Sequence, residues 1–243
     1  MMKQLRTLIF FISCVLLVYS SAMAQVESSI ETQTQEQDSV IYKERYGLRI
    51  GGDFGKLVRS FIADNYSGFE VNGDYRISKR LYIAGEIGFE EKTTENDFIN
   101  STASGGYFKG GIDYNMYQNW LGMENMIYSG FRVGASSFSQ TINSFTTYNT
   151  NQFWEQFSSD EAIDFDGLNT IWAEIILGIK AEVLNNLYIG LNVQLKGLVS
   201  ETAPDNFENV YIPGFDRTYD SSRFGIAFGY NISYLIPFYK KGK

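Results

Sequence analysis

Glu86 and Glu90 stand four residues apart on one side of a single β-type stretch, from which they can meet Glu174 or Asp113. Carboxylates gathered in an enclosed space repel one another, and one is pushed toward neutrality, the state a general acid needs. The chain has no histidine, the side chain that titrates near neutrality unaided, and Cys14 is its one cysteine. Structural ion networks perturb carboxylates just as catalytic ones do. Because cations accompany these four residues, the expected role is structural, with no catalytic residue and no cofactor. A second acidic set, Glu155, Asp160, Glu161, Asp164 and Asp166, lies between Ser136 and Thr170, a stretch without Lys or Arg. Asp164-Phe165-Asp166-Gly167 is a fragment of a calcium loop, but the full D-x-D-x-D-G spacing and its closing glutamate are absent. Asp160, Glu161, Asp164 and Asp166 are therefore weak metal candidates, expected to hold a divalent cation at an affinity on the order of millimolar at best.

The elements that position these groups alternate with period two, the strand period. Eight stretches do so, within Tyr46–Phe54, Phe69–Ile77, Leu81–Glu90, Gly106–Met116, Ile127–Ala135, Ile171–Val183, Leu187–Lys196 and Arg223–Tyr234. One phase, exemplified by Leu48, Ile50, Ile87, Phe108, Phe131, Ile175, Leu191 and Phe228, holds no Asp, Glu, Lys or Arg. The other carries Arg49, Asp53, Glu70, Asp74, Arg76, Glu86, Glu90, Lys109, Asp113, Arg132, Glu174, Lys180, Glu182, Lys196 and Arg223, interleaved with Gly88, Gly134, Gly178 and other glycines. Eight acidic groups thus face seven basic ones. Each stretch is long enough for a tilted strand to cross a bilayer. Connections at 78–80, 117–125 and 184–186 are short, and those at 55–68, 91–105, 136–170 and 197–222 are long, the alternation of an up-and-down barrel.

The polar phase decides which face points outward. A water-exposed strand face has no need of glycine, which weakens a strand unless something large must approach. An eight-strand interior is just wide enough for side chains to fill, and there small residues make room for Tyr82, Tyr107, Tyr128, Trp172 and Tyr188. A nearly balanced set of charges suits an enclosed network. The fold expected is an all-β, eight-stranded antiparallel up-and-down transmembrane β-barrel, closed to ions. Two aromatic belts are expected at the headgroup levels. Phe54, Phe69, Phe89, Phe108 and Phe224 would form the outer one, and Tyr46, Tyr75, Tyr114, Trp120, Tyr234 and Phe238 the other.

Lys3 and Arg6 precede an apolar run from Leu8 to Val18, and Ala22-Met23-Ala24 precedes Gln25. Residues 1–24 read as a secretory signal peptide cleaved between Ala24 and Gln25. That segment holds two basic residues and no acidic one, so its removal takes the formal charge from −8 to −10. An acidic exported chain excludes nucleic acid as a partner. Residues 25–43 read as a flexible periplasmic tail, 44–238 as the barrel and 239–243 as a short basic tail.

With these features the chain resembles the small outer-membrane β-barrels of Gram-negative bacteria, in the manner of the OmpA transmembrane domain, OmpX and OmpW. The resemblance covers residues 44–238. Gly229-Tyr230-Asn231-Ile232-Ser233-Tyr234 looks like the C-terminal signal read by the barrel-assembly machinery, although Ala227 stands where that signal has a polar residue and the chain runs five residues past Phe238. The resemblance implies an outer-membrane location with both termini periplasmic, and partners in outer-membrane lipid, lipopolysaccharide and the assembly machinery. It also implies a non-enzymatic role in envelope integrity or surface contact through the long acidic and aromatic loops, whose extracellular partner stays open. A narrow channel for small solutes is the alternative, and an envelope-modifying enzyme comes third because histidine and exported cysteine are absent.

Overall fold

The computed structural model describes residues 43–118, 124–148, 150, 153, 155–218 and 222–242. The signal peptide 1–24 with its Ala24–Gln25 cleavage site, the tail before Lys43, and Trp120 all lie outside these described residues. In chain order the elements are β1 (Lys43–Asp53), α1 (Phe54–Ile62), β2 (Tyr66–Arg76), β3 (Leu81–Glu95), β4 (Ile99–Asn115), β5 (Met126–Thr146), β6 (Ser158–Ser159), β7 (Ile163–Leu184), β8 (Leu187–Glu201) and β9 (Phe224–Gly242). The nine strands form one antiparallel sheet, ordered β4-β3-β2-β1-β9-β8-β7-β5-β6, and an additional β4–β5 pairing closes it into a ring. The ring passes through the eight long strands, while the two-residue β6 is appended to β5 through Phe145↔Ser159 and Thr146↔Ser158.

Along most of the ring the polar phase points inward and the apolar phase outward. Lys109, Asp113 and Glu90 are 0% exposed, whereas their neighbours Phe108 and Ile87 are 59% and 60% exposed. Large interior rings are seated on small residues. A Cβ on Gly134 would come within 2.3 Å of the Trp172 ring, and one on Gly178 within 2.6 Å of Tyr128. At these positions glycine is the space an aromatic ring occupies.

The strands run further than the apolar phase suggests. The stretch 91–105, expected as a long loop, is largely the β3–β4 hairpin, with Thr93↔Thr102 in register and only residues 96–98 between the strands. Strand β5 likewise continues through Thr146, and β7 begins at Ile163, inside the expected 136–170 loop. In this collar the two faces exchange character. Ala103, Phe138, Ile142, Leu168 and Leu198 are buried, while Ser137, Thr141 and Asn169 face outward. A reading that follows the outward apolar phase stops where that phase changes sides. At the other end β9 continues through Gly242, opposite Lys43, so residues 239–242 extend the sheet instead of forming a tail.

Two further corrections concern β1 and its exit. Beside the register shift at Tyr46/Gly47, where Phe238 of β9 is left unpaired, Tyr46 is buried, stacked on Tyr239 at 5.1 Å and under the Arg76 guanidinium at 4.9 Å. It therefore does not join the outward aromatic belt. Beyond Asp53 the chain leaves the sheet as α1, because the Asp53 carboxylate accepts the Lys56 N–H at 3.1 Å and caps the helix. Phe54, Leu57, Val58 and Phe61 follow at i, i+3, i+4 and i+7, an amphipathic helical stripe inside what reads as the 55–68 loop.

Candidate functional site

The interior holds the only concentrated chemistry among the described residues, in three levels along the ring. At the level nearest the strand ends that carry the two termini, Arg49 donates through Nε and Nη2 to Asp74 Oδ1 at 2.9 and 2.8 Å. Lys180 donates to the other Asp74 oxygen at 2.6 Å. The Arg49 guanidinium lies over the rings of Tyr188 at 4.8 Å and Tyr82 at 5.3 Å. Such stacking suits a planar cation that must leave water.

Lys109 occupies the middle level. Its ammonium is ion-paired with Glu86, with Glu70 at 3.2 Å and with Glu174 at 4.0 Å. Arg132 pairs with Asp113 at 2.7 Å and approaches Glu86 at 3.8 Å. Above these, Lys56 reaches down from α1 to Glu90 at 2.5 Å and Glu70 at 3.2 Å, and donates to the Tyr107 hydroxyl at 2.6 Å. Tyr107 in turn donates to Glu70 at 2.6 Å.

The connection between β8 and β9 closes this end by folding inward. Tyr211 OH and the Gly214 N–H both donate to Glu90, at 2.6 and 2.8 Å, and Lys196 donates to Asp216 and to the Gly214 carbonyl, each at 2.8 Å. Ile212 and Phe215 enter a buried cluster with Tyr107, Phe138, Leu168, Trp172 and Leu198. Gly214 makes the turn with φ +78°, its α-carbon against the Tyr107 ring, where a Cβ would come within 2.6 Å. This aromatic-rich connection thus folds back over the interior.

Charges on these inserted segments are held by their partners. Burial alone would lower the Lys56 ammonium, but Glu70 and Glu90 outweigh it and keep its pKa well above the usual lysine range. Burial would likewise raise the Asp216 carboxyl, and Lys196 followed by Lys56 outweighs that and holds it below the usual carboxylate range. The Tyr211 phenol is pushed well up, by burial first and by the Glu90 charge next.

The four carboxylates singled out for acid–base chemistry are not gathered into one dyad. Glu90 belongs to the upper level, Glu86 and Glu174 to Lys109, and Asp113 to Arg132. Each of the four carboxylates thus lies against a cation, and the arrangement is a set of ion pairs distributed over the interior. Of the fifteen charges assigned to the interior, Arg223 is a correction: it is exposed and donates to the Leu198 and Val199 carbonyls, because it precedes the first residue of β9. Asp53 is buried but caps α1. Arg76 pairs with Glu44 at 2.9 Å, and Glu182 is half-buried against Arg45. Lys56, Arg45, Glu44, Glu124, Tyr211 and Asp216 complete the network and fall outside the period-two stretches. Only Lys56 had a sequence signal, the helical spacing that follows Asp53.

The metal candidates are not brought together. Asp164 and Asp166 lie exposed on β7, the first accepting from Thr141 Oγ1 at 2.7 Å, and Asp160 and Glu161 are exposed between β6 and β7. Among the described residues no group of three His, Cys, Asp or Glu side chains is placed to hold a metal ion.

Residues 7–241 match a family described as a domain of unknown function, DUF6048. The chain belongs to that family. No curated protein and no solved structure gives a significant match to it. A closed antiparallel sheet with an ion-paired interior and an inserted β8–β9 connection is thus what this member contributes to a family whose role is open.

Proposed function

We propose that the chain is an eight-stranded outer-membrane β-barrel protein, similar in architecture to the OmpA transmembrane domain, OmpX and OmpW, with a non-enzymatic role in envelope integrity or surface contact. The observation that carries this reading is the inverted burial of the wall. Soluble monomers rarely expose a contiguous apolar patch above roughly 300–600 Å², whereas here Ile87, Phe108, Phe131, Ile175, Leu191 and Phe228 continue one exposed apolar surface across strand after strand. Hydrocarbon is the solvent in which such a surface is at rest. The exchange of faces at Phe138, Leu168 and Leu198 supports the same reading, since a collar above the bilayer meets water on its outside.

On this reading both termini are periplasmic, lipid and lipopolysaccharide contact the wall, and the barrel-assembly machinery inserts it. α1 and the connection between β8 and β9 face the cell exterior. The filled interior speaks for a closed barrel over the solute-channel alternative. Fractionation of expressing cells tests the location. The mature chain is expected in outer membranes, with a mobility on gels that shifts on heating and a tag after Glu161, between β6 and β7, accessible to protease on intact cells. Recovery in the soluble periplasm without detergent would overturn the proposal. Stable single-channel conductance in planar bilayers would replace the closed barrel with the channel.

A further inference from the structure

The wall of the ring is interrupted beside α1. Strand β1 pairs with β9 only as far as Asp53↔Asn231, because the chain then turns away as the helix. At the far end of β9, the β8–β9 connection substitutes for the missing strand, through an Arg217↔Gly225 bridge and an Ile226 N–H bond to the Asp216 carbonyl at 3.2 Å. Residues 227–230 therefore have a strand neighbour on the β8 side and none on the other.

A cavity of about 340 Å³ occupies this gap, lined by Asp53, Lys56, Arg59, Glu90, Gln194, Asp216, Ala227 and the outward-facing Ile226, Phe228 and Tyr230 among others. Glu90 and Gln194 are buried inside the ring, whereas Phe228 is 63% exposed on its outer face. The cavity thus lies at the open edge of β9, where interior and outer-face residues meet. Its volume is in the range of small-molecule sites, about 300–1,000 Å³.

The charges in the lining do not all cancel internally. Lys56 is taken up by Glu90 and Glu70, and Asp216 by Lys196. Two charges remain outside any ion pair among the described residues. Asp53 is buried and accepts only helix N–H groups, and Arg59 is exposed, with its guanidinium over the Tyr66 ring at 4.0 Å. The lining of the gap thus offers a carboxylate and a guanidinium beside an apolar wall. That combination is complementary to an amphiphile that carries an ammonium, a phosphate and an acyl chain. We propose that this gap binds a zwitterionic amphiphile with a phosphoamine headgroup, the ammonium toward Asp53, the phosphate at Arg59 and the chain along Ile226, Phe228 and Tyr230. The inference deepens the membrane reading, since the acyl chain would lie in the bilayer that reading places around β9.

The test uses the full mature chain in dodecyl maltoside, with binding followed by native mass spectrometry. Dihexanoyl phosphatidylethanolamine is expected to bind. Dihexanoyl phosphatidic acid, which lacks the ammonium, and free phosphoethanolamine, which lacks the chains, should each bind at least about tenfold more weakly. Arg59→Ala should lose about tenfold or more in affinity. Asp53→Asn, which keeps a helix-capping side chain, should bring the phosphatidylethanolamine to the level of the phosphatidic acid. Ala227→Trp should fill the gap and abolish binding, with a heat-dependent gel mobility confirming that the variant is folded. Phosphatidic acid binding as tightly as phosphatidylethanolamine, free phosphoethanolamine binding as tightly as the lipid, or variants that bind like wild type would each overturn the site. Flotation of the protein with liposomes is read separately, so that failure of the membrane reading is distinguished from failure of the site.

Discussion

Two parts of the same wall follow opposite rules. Between the termini and the level of Lys109, ionic side chains fill the interior and Ile87, Phe108, Phe131 and Ile175 face out. In the collar above, Phe138, Ile142, Leu168 and Leu198 face in, joined by Ile212 and Phe215 from the β8–β9 connection, and Ser137, Thr141 and Asn169 face out. The backbone ladder is continuous across the change, as the unbroken pairing from Asn115↔Tyr128 to Ser101↔Ile142 illustrates. What changes is the solvent the outer face is built for. The collar follows the rule of a water-soluble sheet, while on the membrane reading proposed above the lower wall finds its stability in interior ion pairing and in contact with hydrocarbon.

The sharpest way to break this comparison is to remove the charge on which the lower interior converges. Lys109→Met leaves Glu70, Glu86 and Glu174 without their shared cation. An uncompensated buried charge costs about 3–5 kcal/mol. The variant is expected to lose its folded gel mobility at a markedly lower temperature or urea concentration. A barrel as resistant as wild type would mean that the lower interior is not held by its ion pairs.

Next in size is a paired substitution on the outer face. Ile175→Lys places a charge in the apolar outer wall, where on the proposed membrane reading the cost is about 2–4 kcal/mol near the bilayer midplane. Ser137→Lys places the same charge on the outside of the collar, where water meets it and the cost should be within about 0.5 kcal/mol. Urea unfolding from liposomes measures both. Equal effects would remove the boundary between the two regions.

The same boundary explains how far the sequence could be followed. Period-two alternation is a signal of contrast, and it is strongest where the outer face is apolar at Ile127, Phe131 and Val133 while the core holds Arg132. Past Ala135 the contrast weakens, because Ser137, Ser139 and Thr141 suit water and alternate with a mixed inner face of Ser136, Phe138 and Gln140, so the alternation ends before β5 does. Tyr46 shares the phase of the outward Ile50 yet is buried beside an irregular pairing with β9, which a period cannot show. Tyr211 and Asp216 reach the interior from a connection with no period at all, and their partners Glu90 and Lys196 are distant in sequence. The candidate gap beside α1 was invisible for a different reason: it is a property of where β1 stops relative to β9.

Acidity should separate the two regions reversibly. Lys196 and Lys56 hold the Asp216 carboxyl below its ordinary range, so its contribution to docking the β8–β9 connection is complete above the unfolded carboxylate value of about 4. That contribution fades as pH falls below this value, toward the depressed value in the folded state. Hydrogen exchange over residues 202–218, corrected for the intrinsic pH dependence, should speed up as the pH is lowered from 5 to about 2.5, while the strands stay protected. Asp216→Asn should show the faster exchange already at pH 7 and much less dependence on pH. An unchanged acid response in that variant would assign the release to another carboxylate.

The smallest expected effect is also the one that reads the outer face most finely. Ile175 is 54% exposed and belongs to the apolar wall. Ile→Val in a packed core costs about 0.5–1.5 kcal/mol, because the space left by the methylene stays empty. Against lipid, a fluid acyl chain fills that space, and little cavity cost remains. Ile175→Val is therefore expected to change stability in liposomes by less than about 0.5 kcal/mol, much less than Ile175→Lys does in the same assay. A loss in the core range would mean that Ile175 is packed against protein in the membrane. This part of the wall would then be an interface between barrels, and the lipid rule would hold for the rest of the circumference alone.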